Sequence, residues 1–521
     1  MSAKTRLLLA MMGAISLIGC QHKSLEYEPI AAPVLADFST PVLLATPVAS
    51  DASDNRVSNN NAPVTGIEPH KGIPFPVLQP AVNPPRLAGG MSMADEKEWL
   101  SFHRDERLEA THLVITTAGV LTSGPLIARQ MQAQLRLNAL AGERCAETLS
   151  VIARPHSLVF SSRCDGPEPL LMRVRSLFKR FGTLDKDNSD RVIRESRLAK
   201  HIEAFSGRDI DRLWAEVVLG KSHPYLSLYN DAEAGQQAIS DEVGRLASQG
   251  RWHLIAATAP ESLMSTAEPS FTEVNSGAIQ VEGAEVEGAE VDRIEVKTFE
   301  VKTIEALTEQ HQNTGKILYL LNAPGQVQSQ VRVGYSLPTT GNSAPCKSTA
   351  ALLGRSQAGR LFYDLRSRRG LTYGVYGSCI DNPLSRTLKF YGSSATESTG
   401  AFVRGILDHL SLLGSASPSD AELQALDSYL IGQHKVLADR EGTALGEWLA
   451  MLEHARISGD DTDLPEYLPS PLVRAADMGD FPAQYLRAAP WVVIKGDAKL
   501  LLPDLQQKLP DWVIKHLDKL P

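Results

Sequence analysis

The stretch 359–378, which reads GRLFYDLRSRRGLTYGVYGS, constrains the fold of this 521-residue chain more than any other segment. Apolar residues recur at helical spacing up to Leu365, and an arginine-rich turn follows, which suits the negative end of a helix dipole. Gly370 stands where a helix commonly ends in a left-handed residue. The β-forming residues after it predict a strand. The stretch therefore predicts a tight helix–glycine–strand corner that aims Arg366 and Tyr373 at one point.

The two polar residues of this corner allow two interpretations. Arg366 carries a rigid fork of donors, and Tyr373 carries a hydroxyl that can polarise a carbonyl group, so the pair suits a binding site. The same residues also suit a cation at a helix end and a half-buried strand tyrosine with no functional role. Their spacing alone leaves both interpretations open.

The length and charge of the chain limit the number of domains it can contain and the kinds of partner it can bind. A chain of 521 residues accommodates two to four domains with substantial cores. The formal net charge of −9, without a long basic run, gives no support for nucleic-acid binding. We therefore expect a globular, multidomain protein that does not bind nucleic acid.

Residues 1–20 have the features of an export signal. Lys4 and Arg6 precede an apolar segment that is too short to span a bilayer as a mature helix. The segment ends in Leu-Ile-Gly-Cys at Cys20, which resembles the lipobox of bacterial lipoproteins and implies lipidation of Cys20. Gln21 follows instead of aspartate, which favours a lipid-anchored, periplasm-facing protein of the outer membrane. An ordinary cleaved signal with a chance cysteine is the alternative.

Export would place the other cysteines in an oxidising compartment, where disulfides form. They are Cys145, Cys164, Cys346 and Cys379, and four cysteines allow three pairings. A hairpin around Arg154-Pro155 would bring the first two face to face. This favours Cys145–Cys164 and Cys346–Cys379, one bridge in each half. Free buried thiols are the alternative.

Composition divides the rest of the chain. Residues 21–97 are rich in Pro, Ala, Ser and Asn and have too little apolar surface to fold, which predicts a disordered tether. Residues 98–264 predict an α+β domain. Residues 265–315 contain VEGAE twice and EVKT twice, as is typical of an acidic linker. Residues 316–521 repeat the order of strands and helices of the first half, so we predict a second, similar α+β domain.

Hydrophobic periodicity predicts the main elements of both domains. Strands are expected at 112–117, 146–153, 158–164, 252–258, 330–335, 371–380, 387–391 and 491–497. Helices are expected at 126–140, 170–181, 189–205, 210–219, 238–249, 347–365 and 400–413. A further long helix is expected from Ser417 to about Ala455, because a cap residue, a proline and an acid stand at its start. His223-Pro224-Tyr225 interrupts the pattern of the first half, and His223 is interpreted as a structural histidine.

These features together resemble the M16 (insulinase/pitrilysin-type) metallopeptidase family in its two-domain bacterial form, over most of the chain. The most specific part is the family pattern SRL-x4-R-x3-GL-x-Y, which stands here with Gly359 in place of serine, followed by Arg366 and Tyr373. The closing VVIKGD and, more weakly, the His-Pro-Tyr triplet at 223–225 add to it. The resemblance implies two homologous α+β domains that form a clamshell.

Active members of this family bind zinc through His-x-x-Glu-His on the first long helix and a later glutamate. None of the thirteen histidines of this chain stands in that motif or in His-Glu-x-x-His. Residues 129–134 read RQMQAQ at the expected place, and glutamine is a poor zinc ligand and no general base. Glu195 lies near the place of the third ligand, without the rest of the site. We therefore expect no metal, cofactor or catalytic residue in this chain.

In heterodimeric members of the family, one subunit carries the zinc motif and the other an Arg and a Tyr seven residues apart, which hold the substrate backbone. The resemblance implies this substrate-binding role for Arg366 and Tyr373. It also implies a zinc-bearing M16 subunit as partner and peptides as substrates. A non-enzymatic scaffold of the same fold and a divergent metallopeptidase with an unrecognised site are the alternatives.

Overall fold

Two β-sheets, one in each half of the chain, organise the computed structural model of the protein. The structure describes residues 100–140, 142, 145–181, 190–195, 198, 207–229, 236–258, 313–355, 359–459 and 472–518. All of these residues belong to one compact unit, Leu43–Pro521. The expected signal with Cys20, the tether and the VEGAE and EVKT repeats lie outside the described residues. Among the described helices, none is long and apolar enough to span a membrane.

The described elements of the first half (residues 100–258) and the second half (residues 313–518) follow in chain order. The first half contains β1 (Leu100–Arg104), β2 (Thr111–Thr116), α1 (Gly124–Leu140), β3 (Ser150–Ala153), β4 (Ser157–Ser162), α2 (Pro167–Lys179), α3 (Arg208–Leu219), a 3-10 turn (Pro224–Tyr229), α4 (Gln236–Gln249) and β5 (Arg251–Ala256). The second half contains β6 (Ile317–Asn322), β7 (Gln328–Leu337), α5 (Ala344–Gly354), a π-helical segment (Phe362–Arg368), β8 (Thr372–Asn382), β9 (Ser385–Ala395), α6 (Thr399–Ser415), α7 (Asp420–Leu437), α8 (Glu441–Ser458), α9 (Phe481–Tyr485), β10 (Trp491–Gly496), α10 (Ala498–Lys508) and β11 (Val513–Leu517).

The first sheet has five strands in the order β1-β5-β2-β4-β3. Strand β2 pairs antiparallel with β4 and β5, while β1 runs parallel to β5. The side chains of Leu113 and Ile115 are fully buried against helices α1, α2 and α4. Val114, between them, is also fully buried, on the opposite face of the sheet. The sheet is therefore a middle layer with helical cover on both faces.

The second sheet has six strands in the order β11-β6-β10-β7-β9-β8. Strands β7, β9 and β8 are antiparallel neighbours, and β10 runs parallel to β6. Its main core joins Val331, Phe390 and Phe402, all fully buried, to the helices of the second half. Because β8 is the edge strand of this sheet, the corner at Gly370 lies at the sheet edge.

Each sheet is covered on its remaining face by a helix from the other half. Trp448 of α8 is 2% exposed and packs with Val114 of the first sheet. Trp214 of α3 is 5% exposed and packs with Val493 of the second sheet. We call α3 and α8 the exchanged helices. Burying an aromatic side chain of this size contributes roughly 2–3 kcal/mol, so each exchanged helix is strongly attached to the sheet of the other half.

Polar contacts also fix these exchanged helices. Glu453 of α8 accepts from Arg154 at 2.7 and 3.0 Å, and it accepts from the hydroxyl of Ser157 at 2.6 Å. On α3, Asp211 pairs with Arg332 of the second sheet at 2.9 Å. The two halves are therefore interlocked through their packing and are not joined by the chain connection alone.

Two expected helices are wrong in extent. The helix expected over 347–365 ends at Gly354, and the π-helical segment follows separately from Phe362. Glycine is required at 354 because a Cβ there would collide with the backbone of Gly377 on β8. The helix expected over 417–455 is two helices, α7 and α8. Ser419, and not Ser417, caps α7, since its hydroxyl accepts from the N–H of Glu422.

The remaining expected elements match more closely. The strands of the first hairpin, β3 and β4, are shorter than expected at their outer ends. The helix expected over 189–205 falls largely outside the described residues. Five described elements were not predicted from the sequence: β1, β6, α9, α10 and β11. The order of strands and helices in each half is nevertheless that of an α+β fold, which confirms the predicted fold class.

The structure joins the four cysteines in the pairing that the sequence favoured. Cys145 bonds to Cys164 with a Cα–Cα distance of 5.3 Å, and Cys346 bonds to Cys379 with a Cα–Cα distance of 5.7 Å. Each half thus contains one bridge. The second bridge ties the edge strand β8 to helix α5.

Candidate functional site

The corner at Gly370 is built on the π-helical segment, whose turns are wider than those of an α-helix. The N–H of Arg369 donates to the carbonyl of Asp364 at 3.0 Å, a bond that spans five residues instead of four. The Asp364 carboxylate is buried and accepts from Arg369 Nε at 2.9 Å and from His409 Nε2 at 3.1 Å. Burial alone would raise the pKa of Asp364, but His409 and Arg369 outweigh it and lower this pKa. Charged hydrogen bonds therefore fix the last turn before the glycine.

Gly370 ends the segment with a φ of +66°, a conformation that suits glycine because it has no Cβ. Its N–H donates to the carbonyl of Arg366 at 3.0 Å, and the N–H of Leu371 donates to the carbonyl of Leu365 at 2.8 Å. Both leucines are buried, and such an apolar contact commonly accompanies a left-handed helix end. The predicted glycine corner is therefore confirmed.

Arg366 and Tyr373 lie on the two arms of this corner, and both are open to solvent. The guanidinium carbon of Arg366 lies 4.6 Å from the ring centroid of Phe362, which is a cation–π contact. In the part of the chain that the structure describes, no carboxylate pairs with this guanidinium. Tyr373 is 83% exposed, so it is not a half-buried strand tyrosine. Both side chains can therefore meet a ligand without first breaking an ion pair or leaving a core.

A buried ion pair supports the start of the same segment. The guanidinium of Arg360 donates to both carboxylate oxygens of Glu422, at 2.7 and 3.0 Å, and both residues are 2% exposed. Burial would raise the pKa of Glu422, but the hydrogen bonds and charge of Arg360 and the bonds from Ser419 hold this pKa below its ordinary value. Nearby on α6, burial raises the pKa of Asp408 to about 7, although Arg404 opposes the shift. The carboxyl groups around the corner therefore have very different proton affinities.

The far end of the β8–β9 hairpin is held by the first half. The hydroxyl of Tyr225 accepts from Leu384 N–H at 3.1 Å, and His223 Nε2 donates to Leu384 O at 3.0 Å. Tyr225 in turn donates to His156 Nε2 at 3.0 Å, and His156 Nδ1 donates to Gly119 O at 3.2 Å. Burial lowers the pKa of both histidines, which favours the neutral forms that this pattern requires. We call these contacts the Leu384 clasp.

Helix α1 holds the place where the family resemblance puts the zinc motif. Gln132 donates to the carbonyl of Leu149 at 3.0 Å and accepts from the N–H of Val151 at 3.1 Å, so its amide binds the backbone of β3 and the turn before it. Gln134 donates to Asn138 at 3.1 Å. Amide side chains that are already engaged in this way do not fit a zinc site. Among the described residues, no group of three His, Cys, Asp or Glu side chains lies close enough to hold a metal.

Two features of the site were not predicted from the sequence. The first is the set of buried polar residues under the π-helical segment, for which Asp364 among apolar neighbours was the only local signal. The second is the Leu384 clasp, whose signal was the His-Pro-Tyr interruption at 223–225. Glu195, near the expected third zinc ligand, is 56% exposed and lies 4.0 Å from Arg191, as is typical of a surface acid.

Comparison with known proteins agrees with this geometry. Residues 255–429, which include the corner, match the model of the peptidase M16 inactive domain. A crystal structure of a peptidase M16 inactive domain from Pseudomonas fluorescens is 16% identical, with a TM-score of 0.51, and the match covers 78% of this chain and 98% of that chain. The crystal structure of a protease from Helicobacter pylori is 11% identical, with a TM-score of 0.50, and the match covers 78% of this chain and 100% of that chain.

The two solved structures share only 16% and 11% sequence identity with this chain. At such low identities the two solved structures show the fold alone. No curated protein matches the sequence. The match to the inactive-domain model and the shared fold together confirm the resemblance that the sequence motifs indicated.

Proposed function

We propose that this M16-like, non-catalytic chain holds an extended peptide with Arg366 and Tyr373 while a partner subunit supplies the zinc. The observation that carries the proposal is the corner itself. It presents an exposed guanidinium and an exposed phenol on two rigid arms. Arginine can donate to two carbonyl oxygens of a peptide, and the tyrosine hydroxyl can donate to a third. Both groups can therefore bind a backbone without selecting a particular side chain.

The two domains of this chain were expected to form a clamshell of their own, but we place the moving hinge between this chain and its partner. The exchanged helices α3 and α8 interlock the two halves of this chain, so a hinge between them would have to expose Trp214 and Trp448. A hinge between two subunits costs no such exposure. A peptide would then be enclosed with Arg366 and Tyr373 on one wall and the partner's metal on the other.

The partner is expected to be an M16 subunit with an intact His-x-x-Glu-His motif. Helix α1 of this chain offers glutamine side chains in place of zinc ligands, and Gln132 is already bound to the backbone. No step of hydrolysis is therefore assigned to residues of this chain. Its contribution is to bind and orient the peptide.

The proposed location is the periplasmic face of the outer membrane, through a lipid on Cys20. The support for it is the lipobox-like end of the apolar segment. The variant Cys20→Ser should move the protein from the membrane fraction to the soluble fraction, with loss of the acyl mass in intact-protein mass spectrometry. An unchanged mass and fractionation would show that Cys20 carries no anchor.

A pull-down from solubilised membranes through a C-terminal tag tests the partnership. We expect a subunit that contains His-x-x-Glu-His to be recovered and identified by mass spectrometry. Recovery of only proteins without this motif would support the scaffold alternative. Stoichiometric zinc on the purified chain alone, measured by atomic emission, would contradict the assignment of the metal to a partner.

Activity of the co-expressed pair tests the roles of the two residues. Arg366→Ala should lower kcat/KM for an unfolded peptide by about 10- to 100-fold, the loss expected for a charged hydrogen bond. Tyr373→Phe should lower it by about 100-fold if the hydroxyl donates to the reacting carbonyl. Arg368→Ala is the matched control, because Arg368 is another exposed arginine of the same turn. Equal losses in Arg368→Ala and Arg366→Ala would show that only general positive charge matters.

A further inference from the structure

One extra residue interrupts the pairing of β8 with β9 at the start of β8. Thr372 lies opposite Ser394 and Gly374 lies opposite Ser393, so Tyr373 has no residue across from it. This is a β-bulge, a feature that bends a strand and redirects a side chain. The bulged residue is the tyrosine of the candidate site.

The bulge decides which way Tyr373 points. Side chains alternate along a regular strand, so without the extra residue Tyr373 would share the face of Val375, which is fully buried in the core. With the extra residue, Thr372 takes the buried position and is 7% exposed, while Tyr373 is 83% exposed. The exposure of the phenol is therefore a consequence of the shift in register.

The hydroxyl of Thr372 holds the bulge in place. It accepts from the N–H of Gly374 at 3.1 Å and lies 2.5 Å from the carbonyl of Ser393 and 2.9 Å from the carbonyl of Gly374. It therefore links the two sides of the bulge to each other and to β9. These contacts bracket Tyr373, because they join the residues on either side of it. A side chain of the same shape without a hydroxyl would leave these partly buried polar groups without this partner.

The next residues leave room for this arrangement. A Cβ on Gly374 would lie 2.7 Å from the hydroxyl of Tyr376, so a side chain at 374 would displace that ring from its place over the bulge. The ring of Tyr376 packs on Tyr391 of β9 with centroids 5.6 Å apart. The backbone of the bulge is therefore covered on one side by an aromatic pair and tied internally by Thr372. Tyr373 alone projects from it.

We propose that Thr372 is the positioning residue for Tyr373. This inference rests on the proposed peptide-binding role of the corner. Thr372 does not touch the peptide. Its hydroxyl fixes the register that keeps the phenol of Tyr373 out of the core face and beside the arm that carries Arg366. Threonine suits this role because it combines a hydroxyl with a β-branched side chain that is favourable in a strand.

The test compares Thr372→Val, Thr372→Ala and Thr372→Ser in the full chain. The first readout is nitration of Tyr373 by tetranitromethane, mapped by mass spectrometry and divided by nitration of Tyr363, which is 43% exposed and lies outside the bulge. The ratio should fall by about threefold in the Val and Ala variants, because the register relaxes towards the buried face. It should stay within about twofold of the native ratio in the Ser variant, which keeps the hydroxyl.

The second readout is binding of fluorescein-labelled, unfolded casein, followed by anisotropy. Thr372→Val and Thr372→Ala should weaken binding by about 5- to 10-fold, the equivalent of one hydrogen bond, and Thr372→Ser should restore it. An unchanged nitration ratio in the variants without a hydroxyl would overturn the positioning role, even if their melting temperature falls. If Tyr373→Phe binds casein as the native chain does, the proposed function fails, while the nitration ratio still decides the role of Thr372.

Discussion

The buried pair Arg360–Glu422 gives the sharpest test of how the corner is supported. Its two hydrogen bonds, 2.7 and 3.0 Å, join side chains that are 3% and 2% exposed. The substitution Glu422→Gln keeps the size of the side chain and an acceptor for Arg360, but it removes the charge. Arg360 would then be a buried guanidinium without a counter-ion.

The structure sets the expected magnitude of this change. Removing one partner of a buried ion pair costs about 3–5 kcal/mol, because the remaining charge stays desolvated. Glutamine retains one acceptor for Arg360, so we expect the lower end, about 3 kcal/mol. Because the interlocked halves should unfold together as a unit of roughly 400 residues, this lowers Tm by about 4 °C in scanning calorimetry.

The matched control is Glu106→Gln. Glu106 also binds an arginine, Arg104, at 2.7 Å, but these side chains are 74% and 43% exposed. The same chemical change at this exposed pair should cost less than about 1 kcal/mol. If both variants lose the same stability, the argument from burial is wrong.

The cost of Glu422→Gln should also depend on pH. The folded state holds the pKa of Glu422 below its ordinary value of 4.5, so the charged carboxylate contributes stability above pH 4.5. This contribution is lost as the pH falls below 4.5 through the lower, folded pKa. The stability difference between native and variant chains should therefore be full near neutral pH and shrink in acid. A difference that does not change with pH would refute the electrostatic explanation.

Three further predictions follow from other parts of the structure. Burial lowers the pKa of His103 from 6.5 to about 4. The free energy of unfolding should therefore be full above pH 6.5 and fall by about 3 kcal/mol towards pH 4, because the unfolded chain binds a proton that the buried ring does not. His103→Gln should flatten the plot of unfolding free energy against pH in this window. Replacing Cys346 and Cys379 by serine opens a loop with a sequence separation of 33 residues and should cost about 4 kcal/mol in denaturant unfolding. Tyr225→Phe removes the acceptor of the amide of Leu384, so hydrogen exchange at this amide should become at least about fivefold faster. An unchanged exchange rate would show that the clasp does not stabilise the hairpin.

Local chemistry explains what the sequence could predict about the site. Gly370 follows an arginine-rich turn, and its left-handed conformation depends on little beyond its own lack of a Cβ. The start of α7 is similar, since the Ser419–Glu422 capping box is a contact between residues three apart, although proline at 418 drew the expected start two residues too early. Signals of this kind lie within a few residues of the structure that they specify.

Tertiary contacts explain what the sequence could not predict. The need for glycine at 354 comes from the close approach of α5 to Gly377, which is distant in sequence. A buried side-chain hydrogen bond of the π-helical segment comes from His409, which reaches Asp364 from α6. The bulge at Tyr373 is visible only once the register of β8 against β9 is known. A periodic sequence pattern contains none of this information, so it extended regular elements through each of these positions.

The contacts around the corner also show what the first half of the chain contributes to the site, although its helix α1 carries no zinc ligands. The near end of β8 is fixed by groups of the second half, through Gly370 and Thr372. Its far end is different, because both polar groups of the Leu384 backbone are bound by Tyr225 and His223 of the first half. Removing the first half would leave these groups without partners and would also expose the sheet faces that α3 covers. The first half is therefore needed to hold the hairpin that carries Tyr373, and peptide binding should be measured on the full chain rather than on the second half alone.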